Sequence, residues 1–132
     1  MIRGIGVDII EISRIAESVD RLGDAFLNKI FTETEIQYCT PRKNPVQHYA
    51  ARFAAKEAFS KALSTGWAGE FQWKNVEVVN QASGKPVIRL SGKTAAALEG
   101  CSVHLSLSHS DTSVVAFVVI ENTKTRSPLA QT

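Results

Sequence analysis

Asp8 in Gly6-Val7-Asp8 and Glu57 in Phe53-Ala54-Ala55-Lys56-Glu57-Ala58-Phe59-Ser60-Lys61 are the residues of this chain best suited to chemistry. Asp8 stands at the end of an apolar strand pattern. Glu57 stands on a helical pattern, with Lys61 one turn further on. Two such carboxylates suit a hard divalent cation. Magnesium sheds water reluctantly and is commonly held by one or two carboxylates plus substrate phosphates and waters. A lysine beside them suits a phosphate, so the combination points to an enzyme acting on a phosphate ester. Taken singly, each residue has a plainer reading. Asp8 could be a turn former at a strand end. Glu57 and Lys61 could be a surface helix pair worth about 0.3–0.5 kcal/mol, and Arg14 a solvated helix residue.

Charge distribution narrows the ligand class. The net charge of +2 is too small to argue for nucleic acid. Between Arg42 and Lys61, however, five basic residues (Arg42, Lys43, Arg52, Lys56, Lys61) accompany a single acid, Glu57. A basic cluster around one carboxylate fits a polyphosphate better than a duplex, and a solvated helix face is the plain alternative. Two other motifs are decoys. Ser91-Gly92-Lys93-Thr94 has the end of a phosphate-binding P-loop, but that motif needs a glycine where Val87 stands. Ser108-His109-Ser110-Asp111 has triad residue types, yet sequence neighbours cannot converge as a triad does. His109 stays open between a donor to phosphate and a structural, neutral histidine.

The elements that must position these residues follow from periodicity. Ile5, Val7 and Ile9 alternate with Gly4, Gly6 and Asp8, a short strand whose glycines permit close backbone approach. From Ile12 the period becomes helical: Ile12, Ile15, Ala16, Val19 and Leu22 form one stripe, and Arg14, Ser18 and Arg21 share the opposite face. Gly23 interrupts it before a short helix carrying Phe26, Leu27 and Ile30. Thr32 with Glu35 is a capping-box pattern, and Pro41 and Pro45 bracket a loop over Thr40 to Asn44. A central alanine-rich helix is predicted from Val46 to Leu63, closed near Gly66, with Arg52, Lys56 and Ser60 on a line adjoining Glu57 and Lys61. Val76 to Val79 and Val87 to Leu90 form a hairpin through Ser83-Gly84-Lys85-Pro86. Ser91 caps a short helix ending at Gly100. Val103, Leu105 and Leu107 make a half-buried strand, and a turn at Ser110 to Thr112 leads to a central strand, Val114 to Ile120. The tail from Asn122 lacks apolar periodicity and is expected to be mobile. The order predicts an α+β fold, helices packed on a mostly antiparallel sheet. One domain is expected over residues 1–121.

With 44% hydrophobic and 21% charged residues, the 132-residue chain has the composition of a soluble globular protein. No apolar stretch suits a membrane span, and Gly4, Gly6 and Asp8 break any secretory signal. Cys39 and Cys101 read as free buried thiols in a reducing cytosol, which makes the expected location cytoplasmic.

Read jointly, these segments resemble the holo-acyl-carrier-protein synthases, the short phosphopantetheinyl transferases. Gly6-Val7-Asp8 through Arg14 and Phe53 to Lys61 carry the resemblance, supported by Gly84-Lys85-Pro86 and Leu105-Ser106-Leu107-Ser108-His109. The resemblance implies transfer of 4′-phosphopantetheine from coenzyme A, a substrate, to a serine of apo acyl carrier protein, with 3′,5′-adenosine bisphosphate as the other product. It implies Asp8 and Glu57 as ligands of Mg²⁺, which two carboxylates do not distinguish from Mn²⁺. Lys61 would stabilise phosphoryl charge. Glu57, directly or through a metal-bound water, would serve as base. Arg52, Lys61, Lys85 and His109 would contact coenzyme A phosphates, with Pro86 shaping the adenine end. Arg14 and Arg21 would face the acidic helix of the carrier. The resemblance also implies a homotrimer with active sites between subunits, and gives no role for nucleic acid or membrane. Two readings compete with it: a different Mg²⁺-dependent diphosphate hydrolase, and a coenzyme A- or carrier-binding module without turnover.

Overall fold

The computed structural model describes residues 1–63 and 72–123. Strand β1 (Ile2–Glu11) opens the chain and runs directly into helix α1 (Ile12–Leu22). Two short helices follow, α2 (Asp24–Ile30) and α3 (Glu33–Cys39), and then the long helix α4 (Pro45–Leu63). A 3-10 turn at Trp73–Asn75 leads into the hairpin strands β2 (Val76–Asn80) and β3 (Pro86–Leu90). The last elements are helix α5 (Gly92–Ala97) and strands β4 (Cys101–His109) and β5 (Ser113–Asn122). Three strands form an antiparallel sheet in the order β1-β5-β4, while β2 and β3 pair apart from it. The fold is α+β, as the sequence predicts. No helix among the described residues is long and apolar enough to cross a membrane.

Helix α4 lies on the inner face of the three-stranded sheet. Val114, Ala116, Val118 and Ile120 of β5 are buried beneath it. The residues β1 turns toward the same side are Gly4, Gly6, Asp8 and Ile10, paired with Ile120, Val118, Ala116 and Val114. A methyl group at Gly4 would overlap the carbonyl oxygen of Ala62, and one at Gly6 would overlap that of Ala58. The glycines of β1 and alanines of α4 are therefore two halves of one seam, in which missing side chains let backbones touch. The opposite face of β1 is the surprise. Ile5, Val7 and Ile9, the apolar half of the alternation, are exposed, as is Phe117 across from Val7.

Several local expectations are met. Thr32 and Glu35 form a complete capping box, with the Thr32 hydroxyl accepting from Glu35 N and Glu35 accepting from Thr32 N. Pro45 begins α4, where its missing N–H is no loss. Gly84 sits at φ 90°, which suits the hairpin turn.

Others need correction. Asp8 lies within β1, which continues to Glu11, because pairing with β5 extends through Glu11–Ser113. Ser91 occupies the N-cap of α5 without capping it, and its hydroxyl instead donates to Asn75 Oδ1 at 3.4 Å. That helix ends at Ala97 rather than Gly100. Asn122 belongs to β5, its carbonyl accepting from the Met1 amine, so the sheet runs past the expected tail boundary. The expected close of α4 near Gly66 and the tail beyond residue 123 lie outside the described residues.

Candidate active site

The glycine–alanine seam sets the distance between Asp8 and α4. With no side chains at Gly4 and Gly6 to hold the strand off, Lys61 Nζ donates to Asp8 Oδ1 at 3.0 Å and to the Val7 carbonyl at 3.2 Å. Glu57, one turn earlier on the same helix, lines a cavity of about 280 Å³ together with Asp8. Arg14 and Ser18 of α1 face into it, and Ile15, Phe26 and Phe53 supply apolar wall. The structure thus brings together Asp8, Glu57 and Arg14 around one space, with Lys61 bonded at its edge. Arg21 is exposed two turns beyond Arg14 on α1 and does not line the cavity.

The donor set fits a small hard cation. Asp8 and Glu57 supply oxygen, and no group of three or more His, Cys, Asp or Glu side chains gathers as a metal site among the described residues. Two carboxylates with remaining positions left for phosphate and water is a common arrangement for magnesium.

Arg52, Lys85 and Pro86 form a second constellation, away from this cavity. Arg52 is buried, and its Nη2 donates to Asn80 Oδ1 at 2.7 Å. Asn80 is the last residue of β2, opposite Pro86, and its Nδ2 donates to the Gly84 carbonyl at 3.0 Å. One amide therefore joins Arg52 to the turn carrying the exposed Lys85. The Arg52 guanidinium also lies over the Tyr38 ring at 4.5 Å, and that of Arg42 lies over the same ring at 4.0 Å. His109 ends β4, with Nδ1 at 2.8 Å from Gln47 Nε2. Partial burial, then the charges of Arg52, Arg42 and His109, push the pKa of His48 below its ordinary value. His109 lines a shallow cavity of about 310 Å³ on the outer sheet face with Ile9, which also borders the Asp8 cavity.

The basic run on α4 is not a solvated face. Arg52, Lys56 and Ser60 are all buried. Lys56 Nζ pairs with Glu35 Oε1 at 2.8 Å, donates to the Trp73 carbonyl at 2.9 Å, and is fully enclosed. Glu35 Oε2 accepts from Val78 N at 2.9 Å, so this pair fastens α3 and β2 to α4. Cys39 is fully buried, whereas Cys101 is only half-buried, and both are free thiols. Burial pushes the Cys39 thiol up to about 11, which leaves it inert as a nucleophile at neutral pH.

Sequence reasoning placed Ser18 beside Arg14 but missed Asn80, Gln47, Phe26 and Phe53 as neighbours of these groups. Phe53 had a usable signal, since Phe53, Glu57 and Lys61 are spaced four apart on one helix face. Asn80 had none, because its partner lies on another element.

Comparison with known proteins identifies the family. Residues 4–118 match the family model described as the 4′-phosphopantetheinyl transferase superfamily. The chain is 45% identical over 125 residues to the holo-[acyl-carrier-protein] synthase of Koribacter versatilis, covering 92% of this chain and all of that protein. It is 47% identical over 126 residues to the enzyme of the same name from a Geobacter species, covering 92% and 99%. Among solved structures, the synthase of Neisseria meningitidis is similar with a TM-score of 0.86 at 40% identity, covering 92% and 99% of the two chains. The synthase of Bacillus anthracis in complex with CoA (3′,5′-ADP) is similar with a TM-score of 0.79 at 41% identity, covering 92% and 98%.

Proposed function

The chain belongs to the 4′-phosphopantetheinyl transferase superfamily, and on that premise we propose that it is a holo-[acyl-carrier-protein] synthase. It moves the 4′-phosphopantetheine arm of coenzyme A to a serine of apo acyl carrier protein and releases 3′,5′-adenosine bisphosphate. The observation that carries this reading is the set Asp8, Glu57 and Arg14 around one cavity with Lys61 bonded to Asp8. It occurs in a chain matched along nearly its full length to synthases of that name.

In this reaction the serine Oγ bonds to the phosphorus that bears pantetheine. The anhydride P–O bond breaks, and the bisphosphate leaves with the bonding electron pair. Asp8 and Glu57 would hold Mg²⁺, with Mn²⁺ as the chemically similar alternative. When bound, the metal would neutralise diphosphate charge and orient the attacked phosphorus. Lys61, fixed by Asp8 and the Val7 carbonyl, places its ammonium where phosphoryl oxygens gather charge. Glu57 receives the serine proton, directly or through an intervening water. Phe26, Phe53 and Ile15 exclude water from one side of the cavity. Arg52, Lys85 and His109 contact coenzyme A phosphates, with Pro86 beside the adenine. Arg14 and Arg21 dock the acidic surface of the carrier, where steering favours rapid encounter.

The same reading includes a homotrimer with sites shared between subunits, in the cytoplasm. The exposed row Ile5, Val7, Ile9 and Phe117 supports the trimer, since an apolar sheet face of this kind marks an interaction surface. Ile9 bordering both the Asp8 and His109 cavities supports placing the shared site along that face.

The test is the intact mass of an apo acyl carrier protein after incubation with this protein, coenzyme A and Mg²⁺, with a parallel sample in EDTA. A gain of one phosphopantetheine arm, absent with chelator, is the expected result. No gain across several carriers would favour a hydrolase or a binding module.

A further inference from the structure

Arg52 is a buried cation with no anion paired to it among the described residues. The residue is 3% exposed. Its Nε is buried with no hydrogen-bond partner. Taking a guanidinium out of water is costly unless a counter-charge and hydrogen bonds replace the solvent. Here the replacements are a neutral amide, Asn80, and the face of Tyr38. A second guanidinium, Arg42, stacks on the same ring, which adds like-charge repulsion. The contrast within β2 is direct: Glu77 gives Arg89 a carboxylate, and Asn80 gives Arg52 none. Positive charge is collected at this point, and no carboxylate among the described residues pairs with it.

We infer that Asn80 is a positioning residue that holds Arg52 as an uncompensated cation for a phosphate group of coenzyme A and ties it to the turn carrying Lys85 and Pro86. Its carbonyl oxygen orients the guanidinium through one N–H without neutralising it. Its Nδ2 fixes the Gly84 carbonyl, one residue before Lys85. An aspartate of the same shape would orient Arg52 equally well, but it would also supply the missing charge and lose the bond to Gly84. The incoming phosphate would then compete with a resident anion. The inference rests on the transferase reading above, through the assignment of Arg52 to coenzyme A.

The test is steady-state transfer with Asn80→Asp and Asn80→Ala, each with its melting temperature. Asn80→Asp is expected to raise the KM for coenzyme A about tenfold or more. The KM for carrier should stay at the wild-type value, and melting should be unchanged or higher. Asn80→Ala should raise the same KM by a smaller factor, with a lower melting temperature because the buried guanidinium loses its hydrogen bond. An asparagine that only braces the turn gives a different pattern: Asn80→Asp and Asn80→Ala, which both lose the bond to Gly84, would change the coenzyme A KM equally. That result, or a fall in melting with equal changes in both KM values, overturns the inference while leaving the transferase intact. A wild-type protein that modifies no carrier overturns the reading beneath it instead.

Discussion

Helix α4 carries two lysine–carboxylate pairs of nearly equal length in opposite surroundings. Lys56 meets Glu35 at 2.8 Å with both side chains fully buried. Lys61 meets Asp8 at 3.0 Å, with the lysine 53% and the aspartate 15% exposed. Five residues on a helix turn through more than a third of a circle, so the two lysines leave α4 toward different neighbours. The enclosed pair has every polar atom committed: Glu35 also serves Thr32 N and Val78 N, and Lys56 also serves the Trp73 carbonyl. It has no capacity left for a substrate. The open pair borders a cavity with Glu57 and Arg14 and can exchange its partners for phosphate and metal. Identical side-chain chemistry is thus closed off in one place and left open to a cavity in the other, where the proposed reading puts the reaction.

The largest expected effect breaks the enclosed pair. Lys56→Met leaves Glu35 as a buried, unpaired charge and should lower stability by about 3–5 kcal/mol in urea unfolding. Burial pushes the Lys56 pKa down, Glu35 and Glu77 only partly offsetting it, so the ammonium stands at the mercy of its partner. A small loss would mean that water reaches Glu35 and that the contrast between the pairs is overstated.

Lys61→Met is the mirror experiment. Stability should change by no more than about 1 kcal/mol, because the pair is solvent-screened. The rate of phosphopantetheine transfer should fall about 10²–10³-fold, as for loss of one preorganised charge donor. A variant that unfolds without losing rate per folded molecule would exchange the roles of the two lysines.

A smaller effect is expected where the open pair's cavity meets solvent. Arg14→Glu should raise the KM for carrier about tenfold while leaving coenzyme A affinity almost unchanged. Equal loss of both would remove Arg14 from carrier docking.

The smallest effect concerns a carboxylate next to the enclosed network. Partial burial raises the Glu77 pKa, but the Thr32 hydroxyl and Arg89 outweigh it and hold the carboxyl below its ordinary 4.5. A depressed folded-state pKa means that its stabilisation is complete above about pH 4.5 and is lost as pH falls through the lower folded value. Glu77→Gln should therefore flatten the decline in melting temperature in that acid window and leave the rest of the curve nearly parallel. An unchanged acid limb would mean that other carboxylates govern it.

What the sequence made legible follows local rules. The capping box at Thr32 and Glu35, the hairpin at Gly84 and the helical pair Glu57 and Lys61 each rest on residues a few positions apart. Asp8 was singled out only jointly with Glu57, first as a carboxylate pair suited to a divalent cation and then through the family resemblance. The remainder depends on contacts between distant elements. Glu35 reads as a capping residue, and nothing local says that its other oxygen and Lys56 meet inside the protein. Arg52 reads as part of a basic cluster suited to a polyphosphate, and nothing local says that it meets Asn80, 28 positions later, inside the protein. In β1 both halves of the alternation had a claim to the core. The glycines took it because the alanines of α4 can approach only a surface without side chains.

The central claim is that the open cluster carries the reaction, and the most direct test is a time course of intact carrier mass. Wild type, Asp8→Asn and Glu57→Gln would be compared at saturating coenzyme A and Mg²⁺, after each is verified as folded. The account predicts that wild type adds one arm per carrier and that both variants are slower by about 10²-fold or more. Wild-type speed in the folded Glu57→Gln protein would contradict it.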